Sequence, residues 1–471
     1  MDLLVVSTYI CLVFIIAYRA RVKSGLKSLK TQYLADRSLS FSESLFSIVA
    51  TEVSALTFIG IPAFSYTKDF SFIYIYFGAI IGRLLIAQLI LPQIYSEGVT
   101  LYEVIAKKRG SSYESRSLLS LIYIVSRVLA VGVRLYAGSI LVGEFFEVSI
   151  FTAVIMTSVL TYLYTLIGGL KAVVRTDRLQ MITFILGGFC AHYIISQQAQ
   201  MPWSDLMFLA YSNGKIAAGT SIDIWSNLLI GVIGGALFDI ATHGMDQDFV
   251  QRLLACKSLK TAQKSIIYSS LLSIFVGLLF LSVGALLWSH YSLIGFPMLE
   301  NNDKIFAHFI MNEFPLSLRG LMLAGVLAAT MSTLDSTINA VGSCLSNDIF
   351  KRNDSDINSQ KIFTDGAIIM FALLLVAFMA SRFTGVLELG LKISSWIGGG
   401  LLGVYISQMS ERFFAEKLSI RLIIFIFMGN IAFVSFNTFL IKGPWQLNIY
   451  WGTLGAILCM WLFGKERERS N

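Results

Sequence analysis

The stretch Leu327-Ala328-Ala329-Thr330-Met331-Ser332-Thr333-Leu334-Asp335-Ser336-Thr337 follows directly on the apolar run Leu321 to Leu327. Its surroundings are those of a membrane span, yet within about two turns it presents hydroxyls and a carboxylate that lipid would penalise. Ala329, Ser332, Thr333 and Ser336 fall at i, i+3, i+4 and i+7, which is one helical face. Asp335 lies beside that face. Small residues and oxygen donors on one stripe suit either close helix packing or a small hard cation.

Working outward, composition sets the class. The 471 residues are 56% hydrophobic and 14% charged, with a mean hydropathy of +0.72. Apolar runs of about 18 residues or more recur along the chain, which identifies an all-α polytopic membrane protein in a lipid bilayer. The five cysteines (Cys11, Cys190, Cys256, Cys344, Cys459) have neither zinc nor redox spacing and read as small apolar side chains. Leu3 to Ala17 lacks a basic start and a small-residue cleavage site, so it is expected to be a retained span.

Hydropathy and breaks predict about thirteen spans, near residues 2–18, 43–66, 70–94, 117–146, 148–168, 178–197, 224–250, 265–289, 317–347, 362–381, 386–409, 419–440 and 447–464. An amphipathic piece, Asp303 to Phe314, is expected on the membrane surface, and Ala199 to Trp225 as an exposed connector. Most of the 36 lysines and arginines fall in alternate connections, among them Arg19, Lys30, Arg37, Lys107, Arg109, Lys171, Arg175, Lys257 and Lys351. The positive-inside rule then places those loops and the tail from Lys465 in the cytoplasm and the N-terminus outside. The same distribution accounts for the net charge of +7 without nucleic acid.

Two spans look broken. The second has Ala50-Thr51-Glu52-Val53-Ser54-Ala55 at its centre, then Gly60 and Pro62. The seventh carries Gly234-Gly235, Asp239, His243-Gly244 and Asp246-Gln247-Asp248. Polar, glycine-interrupted spans at matching places in two halves point to an inverted-repeat transporter with its site at the midplane. The halves are residues 43–197 and 224–409, joined by a connector at 198–223. An N-terminal span and basic loop at 1–42 and two C-terminal spans with a tail at 410–471 flank them.

In these motifs the chain resembles the sodium:solute symporter family, which includes sodium–glucose, sodium–proline, sodium–pantothenate and sodium–sialic acid co-transporters. The resemblance rests on Tyr33-Leu34-Ala35, on Ala50 to Pro62, on Gly168-Gly169 through Lys171 to Thr176-Asp177, on Asp246-Gln247 to Gln251-Arg252, on Ala329 to Ser336, and on Gly398-Gly399-Gly400 to Gly403. It covers residues 32 to 409 and implies a LeuT-type core of two inverted five-helix repeats.

That resemblance also implies sites. The family's main sodium site uses carbonyls where the first core helix unwinds, here Ala50 and Val53, with Ala329, Ser332 and Thr333 of the eighth. Some sialic acid carriers hold a second sodium, whose matches are Asp177, Ser332, Asp335 and Ser336; Asp335 stands where the pattern has a hydroxyl. Read from the residues alone, Asp177 beside Thr176 also suits a helix N-cap.

The substrate is expected beside Glu52, Ser54 and Thr57, with Phe72, Tyr76 and Arg127 joining by position in sialic acid carriers and Asp246 near the inner mouth. Arg127 would receive a carboxylate, unless Glu52 pairs internally with Arg127, Arg83 or Arg134. Lys392, four residues after Glu388, reads as a helix-face ion pair, and His243 as bonding a neighbouring carbonyl.

The function expected is a sodium-coupled secondary active symporter that imports a small organic solute by alternating access, with the monomer sufficient. The solute would be a carboxylate such as a sialic acid or a monocarboxylate, with a neutral sugar or amino acid as the alternative. A solute sensor or a channel is the rival class. An enzyme is not expected, because the four histidines show no ligand spacing and no nucleophile–base set is evident.

Overall fold

The computed structural model describes residues 1–24, 28–95, 98–108, 110–165, 169–217, 224–296, 299, 301–353, 359–409 and 417–463. Gly168, Arg109 and the basic tail from Lys465 lie outside them, as does the connector from 218 to 223. Sixteen helices organise the described chain: α1 (Asp2–Ser24), α2 (Phe41–Glu52), α3 (Leu56–Thr67), α4 (Ile73–Ile94), α5 (Tyr113–Phe146), α6 (Ile150–Thr165), α7 (Leu170–Gln198), α8 (Leu228–Gly244), α9 (Gln247–Leu254), α10 (Leu259–Ile294), α11 (Ile305–Glu313), α12 (Leu318–Ile349), α13 (Gln360–Ala380), α14 (Val386–Met409), α15 (Ile420–Ile441) and α16 (Trp445–Phe463).

Ten of these helices are long and apolar enough to cross a membrane, and two bent pairs bring the spans to 12. The expected span near 148–168 is the shorter helix α6. The bent pairs are α2 with α3, at 57°, and α8 with α9, at 64°. The first pair is followed by α4, α5, the shorter α6 and α7, and the second by the membrane-length helices α10, α12, α13 and α14. Burial marks the centre: 89% of the apolar stretch of α12 is buried inside the protein, against 28–67% for the other membrane-length helices. The helix bearing the opening stripe is the centre, packed on α2, α5 and α7.

The breaks do not fall at the glycines. α2 starts on a capping box, Ser40 with Glu43, and runs to Glu52, where Val53 turns extended (φ −75°, ψ 94°). Ser54 restarts the chain: its hydroxyl accepts from Leu56 N at 3.2 Å and its carbonyl from Thr57 N at 2.9 Å. Gly60 instead lets α3 approach α14, since a Cβ there would lie 2.9 Å from that of Leu387. Pro62 lies inside α3, where the π-helical stretch Leu56–Gly60 passes into regular α-helix, so its missing N–H falls at an irregular turn. In the second half the break is at Met245 and Asp246. Gly235 allows α8 to lie on α4, a Cβ there falling 2.7 Å from the Ile75 carbonyl oxygen.

Two other expectations gain detail. The apolar face of Ile305–Glu313 packs on the protein: Ile305, Phe306, Phe309 and Ile310 are buried, and Phe306 stacks on Phe58 of α3 at 5.3 Å. α11 is amphipathic because it packs on protein. The connector contains a helix, Trp203–Ser212, whose Leu206 and Ala210 are buried. Beyond it, Lys215 Nζ donates to the carbonyls of Tyr66, Thr67 and Lys68 at the end of α3, a cation where the helix dipole is negative.

The basic connections gather at one end. Leu39 N donates to Ala255 O and Lys257 N to Leu39 O, at 3.0 and 3.1 Å, while Gln251 Nε2 donates to Tyr33 O at 2.6 Å. The opposite end holds the Lys68–Glu388 ion pair, the Lys304–Glu144 pair at 2.7 Å, and Asp303, which accepts from Gly385 N and Val386 N at the start of α14.

Candidate functional site

Ending α2 at Glu52 leaves the carbonyls of its last turn without intrahelical partners. Val53 N makes the last helical bond, to Val49 O at 2.7 Å. The next carbonyl, Ala50 O, accepts instead from Ser332 Oγ of α12 at 3.0 Å. Thr333 Oγ1 donates to Ala329 O at 3.0 Å. Ala50, Val53, Ala329, Ser332 and Thr333 are all buried. Of the five residues expected to hold sodium, Ala50 and Ser332 thus touch where the first broken helix faces the small-residue stripe, and Ala329 and Thr333 lie on the same stretch of α12. A hydroxyl that rotates its proton away turns a lone pair toward the gap, so this cluster can offer several oxygens to a hard cation.

Asp177 is not a cap. It lies inside α7, which begins at Leu170. Its carboxylate accepts from Ser47 Oγ and lies 2.7 Å from Ser332 Oγ, whose single proton serves either Asp177 or Ala50 O. Ser332 thus belongs to both expected cation sets. Ser336 is there too, with its hydroxyl 3.3 Å from Asp335 Oδ1 and 3.3 Å from Thr51 Oγ1. One cation is already in place: Arg252 donates to Ser336 Oγ, to Ser47 Oγ at 2.7 Å and to Asp248 Oδ1 at 2.7 Å, with its Nη2 3.6 Å from Asp177 Oδ2.

Beside this cluster lies a cavity of about 130 Å³. Glu52, Ser54 and Thr57 line it from the first break, and Phe72, Tyr76, Arg127 and Asp246 from the other side. All seven expected substrate residues reach it, but the charged ones among them, Glu52, Arg127 and Asp246, are already engaged. Glu52 pairs with Arg83 at 2.6 Å, and Arg83, fully buried, also holds Asp239 at 3.2 Å and Ser269 at 2.7 Å. His243 joins this group rather than a carbonyl, with Nδ1 3.0 Å from Asp239 Oδ1 and Nε2 3.2 Å from Arg83 Nη2. A guanidinium can only donate, so Nε2 accepts and the ring proton sits on Nδ1, facing Asp239.

Arg127 is likewise taken. It donates to Asp246 Oδ2 at 2.9 Å, to Asp248 Oδ2 and to Thr337 Oγ1 at 3.2 Å. Asp248 is shared between Arg127 and Arg252. A continuous buried chain of charge and hydroxyls thus runs from the cavity, through α9, to the residues around Asp177 and Ser332. Lys392 pairs with Glu388 at 3.2 Å as expected from its spacing, and Glu388 also holds Lys68.

Two groups have roles the sequence reasoning gave only in part. Asp248, expected at the exit or beside Arg252, does meet Arg252 and also joins it to Arg127; Arg134, named only as a candidate partner of Glu52, lines the cavity seven residues after Arg127, hence on the same face of α5. That spacing is the signal that would have found Arg134.

The family model for the sodium:solute symporter family matches residues 32–411. The sodium-coupled monocarboxylate transporter 2 of Homo sapiens is 27% identical over 416 residues, 82% of this chain and 64% of that one. The sodium/sialic acid symporter SiaT of Proteus mirabilis is 27% identical over 322 residues, 65% of this chain and 62% of that one. The chain thus spans somewhat under two thirds of the length of these two curated relatives. In fold it is similar to a substrate-bound, outward-open sodium-coupled sialic acid symporter, with a TM-score of 0.84 at 21% identity, covering 98% of this chain and 97% of that one. It is more distantly similar to Mhp1, a nucleobase-cation-symport-1 family transporter, with a TM-score of 0.58 at 13% identity, covering 92% and 93%.

Proposed function

Since the chain belongs to the sodium:solute symporter family, we propose that it is a sodium-coupled symporter that imports a small organic carboxylate by alternating access. The observation that carries this reading is the contact of Ala50 O with Ser332 Oγ, 3.0 Å across the first helix break. Freed carbonyls facing hydroxyls are what a broken membrane helix offers to sodium. The ion would rest among Ala50, Val53, Ala329, Ser332 and Thr333, tying α2 to α12. Val53 and Ser54 line the cavity as well, so the same tie sets the shape of the solute site.

Sodium binding completes the cavity while the end bearing the basic loops stays closed by Arg127, Asp248 and Arg252. Opening that end requires α2 and α9 to part from α12, which breaks up the cation cluster and the cavity together. Ion and solute then leave from the same motion. One charge moving down 100 mV of membrane potential gains about 2.3 kcal/mol, enough for roughly forty- to fiftyfold solute accumulation per ion.

A second sodium would enter among Asp177, Ser332, Asp335 and Ser336. Arg252 already donates to Ser336 there, so a second ion must share the cluster with a fixed guanidinium, which favours one ion per cycle. The clustering of basic connections supports a cell-membrane orientation with the N-terminus outside and the tail in the cytoplasm. Residues 43–197 and 224–409 form the two repeats, and one chain supplies the whole cluster and cavity.

The test is uptake of labelled carboxylates into proteoliposomes with and without an inward sodium gradient. The expected result is accumulation that needs sodium and rises with an inside-negative potential. Flux indifferent to sodium, or driven equally by protons alone, would overturn the reading.

A further inference from the structure

Two guanidinium groups line the central cavity, those of Arg127 and Arg134. The donors of Arg127 go to Asp246, Asp248 and Thr337. Those of Arg134 do not: its Nε and Nη1 are buried and have no hydrogen-bond partner among the described residues. Buried donors are almost always paired, and an ionised group out of water is costly until it is. An unpaired guanidinium facing a cavity is therefore a place prepared for an anion. Its planar fork of N–H groups fits a carboxylate through two parallel hydrogen bonds.

The rest of the wall limits what that anion can be. Leu56, Phe72, Ile75, Tyr76, Leu387 and Leu391 supply an apolar surface. The acidic groups on the wall, Glu52, Asp239 and Asp246, are held by Arg83, His243 and Arg127, and among the described residues no second unpartnered cation lines the wall for another negative charge. The cavity holds about 130 Å³. That is below the roughly 300–1,000 Å³ of drug-sized ligand pockets and favours a small solute.

We propose that Arg134, and not Arg127, anchors the transported solute, and that the solute is a small monocarboxylate with an apolar body. Arg127 is a positioning residue: it holds Asp246 and Asp248 at the second helix break. Seven residues put Arg134 about 10 Å further along α5 than Arg127, toward the end of the cavity nearer the Lys68–Glu388 pair. The solute carboxylate would dock there while its body lies along Phe72 and Tyr76. This inference rests on the symporter reading of the same site, and the experiment separates the two.

The full chain in detergent, with sodium present, is titrated with a panel of small aliphatic and aromatic monocarboxylates such as butyrate and benzoate. The amides of the same acids, succinate and N-acetylneuraminate complete the panel, and thermal shift and equilibrium binding are read. A small acid is expected to bind, its amide about a hundredfold more weakly, as suits loss of a charge-assisted bidentate pair. Succinate and the nine-carbon sugar acid are expected to bind no better than the amide. Arg134→Gln should weaken the small acid about a hundredfold while keeping the sodium-induced thermal shift, which also reports that the variant is folded. Arg134→Lys, which restores charge without the fork, should recover part of the affinity.

Three outcomes would overturn the proposal: unchanged acid affinity in Arg134→Gln, an amide that binds as well as its acid, or tighter binding of the sugar acid than of any small acid. A wild-type chain that binds the acid equally well without sodium would instead overturn the symport reading. The acid-to-amide ratio in Arg134→Gln would still decide the anchor.

Discussion

The chain is broken twice at corresponding places and uses the two breaks in different ways. At the first, Glu52 to Ala55, small residues leave backbone oxygens facing hydroxyls, and Ala50 O is met by Ser332. At the second, Asp246 is an N-cap whose carboxylate accepts from Asp248 N at 2.8 Å, and both aspartates turn to arginines. A break lined by carbonyls and hydroxyls is only partly satisfied by the protein and leaves a role for a mobile cation. A break lined by carboxylates and guanidinium groups is satisfied by the protein itself. The first is built for exchange, the second for closure.

The largest effect is expected at the second break. Asp248→Asn keeps shape but removes the charge shared by Arg127 and Arg252, both buried. Breaking one member out of a buried ion network costs about 3–5 kcal/mol, so detergent-solubilised protein should lose much of its thermal stability, and added sodium should not restore it. Stability close to that of the parent would mean the network is not what closes that end.

A smaller effect is expected where the first break restarts. Ser54→Ala removes the hydroxyl that accepts from Leu56 N, and loss of such a cap costs about 1 kcal/mol. Hydrogen exchange at the start of α3 should speed up by roughly fivefold, with exchange in α9 unchanged. Equal acceleration in both would argue that the breaks are not independent. The smallest effect belongs to the Lys68–Glu388 pair, which is largely exposed. Lys68→Ala should cost less than about 1 kcal/mol, and less still in high salt. A large, salt-insensitive loss would show that this end is held as firmly as the other.

How much of this was legible follows from the kind of signal each feature sends. The stripe at Ala329 to Ser336 could be read because helical periodicity puts its residues on one face whatever the tertiary structure. The two breaks could be found from mid-span carboxylates, and the first falls inside the expected stretch Ala50 to Ala55, but the glycines nearby were a poor guide. Glycine signals both a break and a close approach, and Gly60, Gly234 and Gly235 lie in helices packed against α14, the chain near Gln446 and α4. Ion partners were least legible, because Glu52 meets Arg83 and Asp248 meets Arg127 only through packing of helices far apart in sequence. The same holds for α11, whose apolar face looks alike whether it covers protein or lipid. Arg134 stood on the right face by spacing, but only the pairing of its neighbours distinguishes it.

The measurement closest to the central claim is a sodium titration of solute uptake in parent and Thr333→Ala proteoliposomes. Among the described residues the Thr333 hydroxyl bonds within its own helix, to Ala329 O at 3.0 Å, so its loss should leave expression and sodium-free stability nearly unchanged. If the first break and the stripe hold the driving ion, half-maximal uptake should need about tenfold more sodium, the loss of about 1.4 kcal/mol of ion binding, with the maximal rate recovered at saturation. An unchanged sodium requirement would contradict the account.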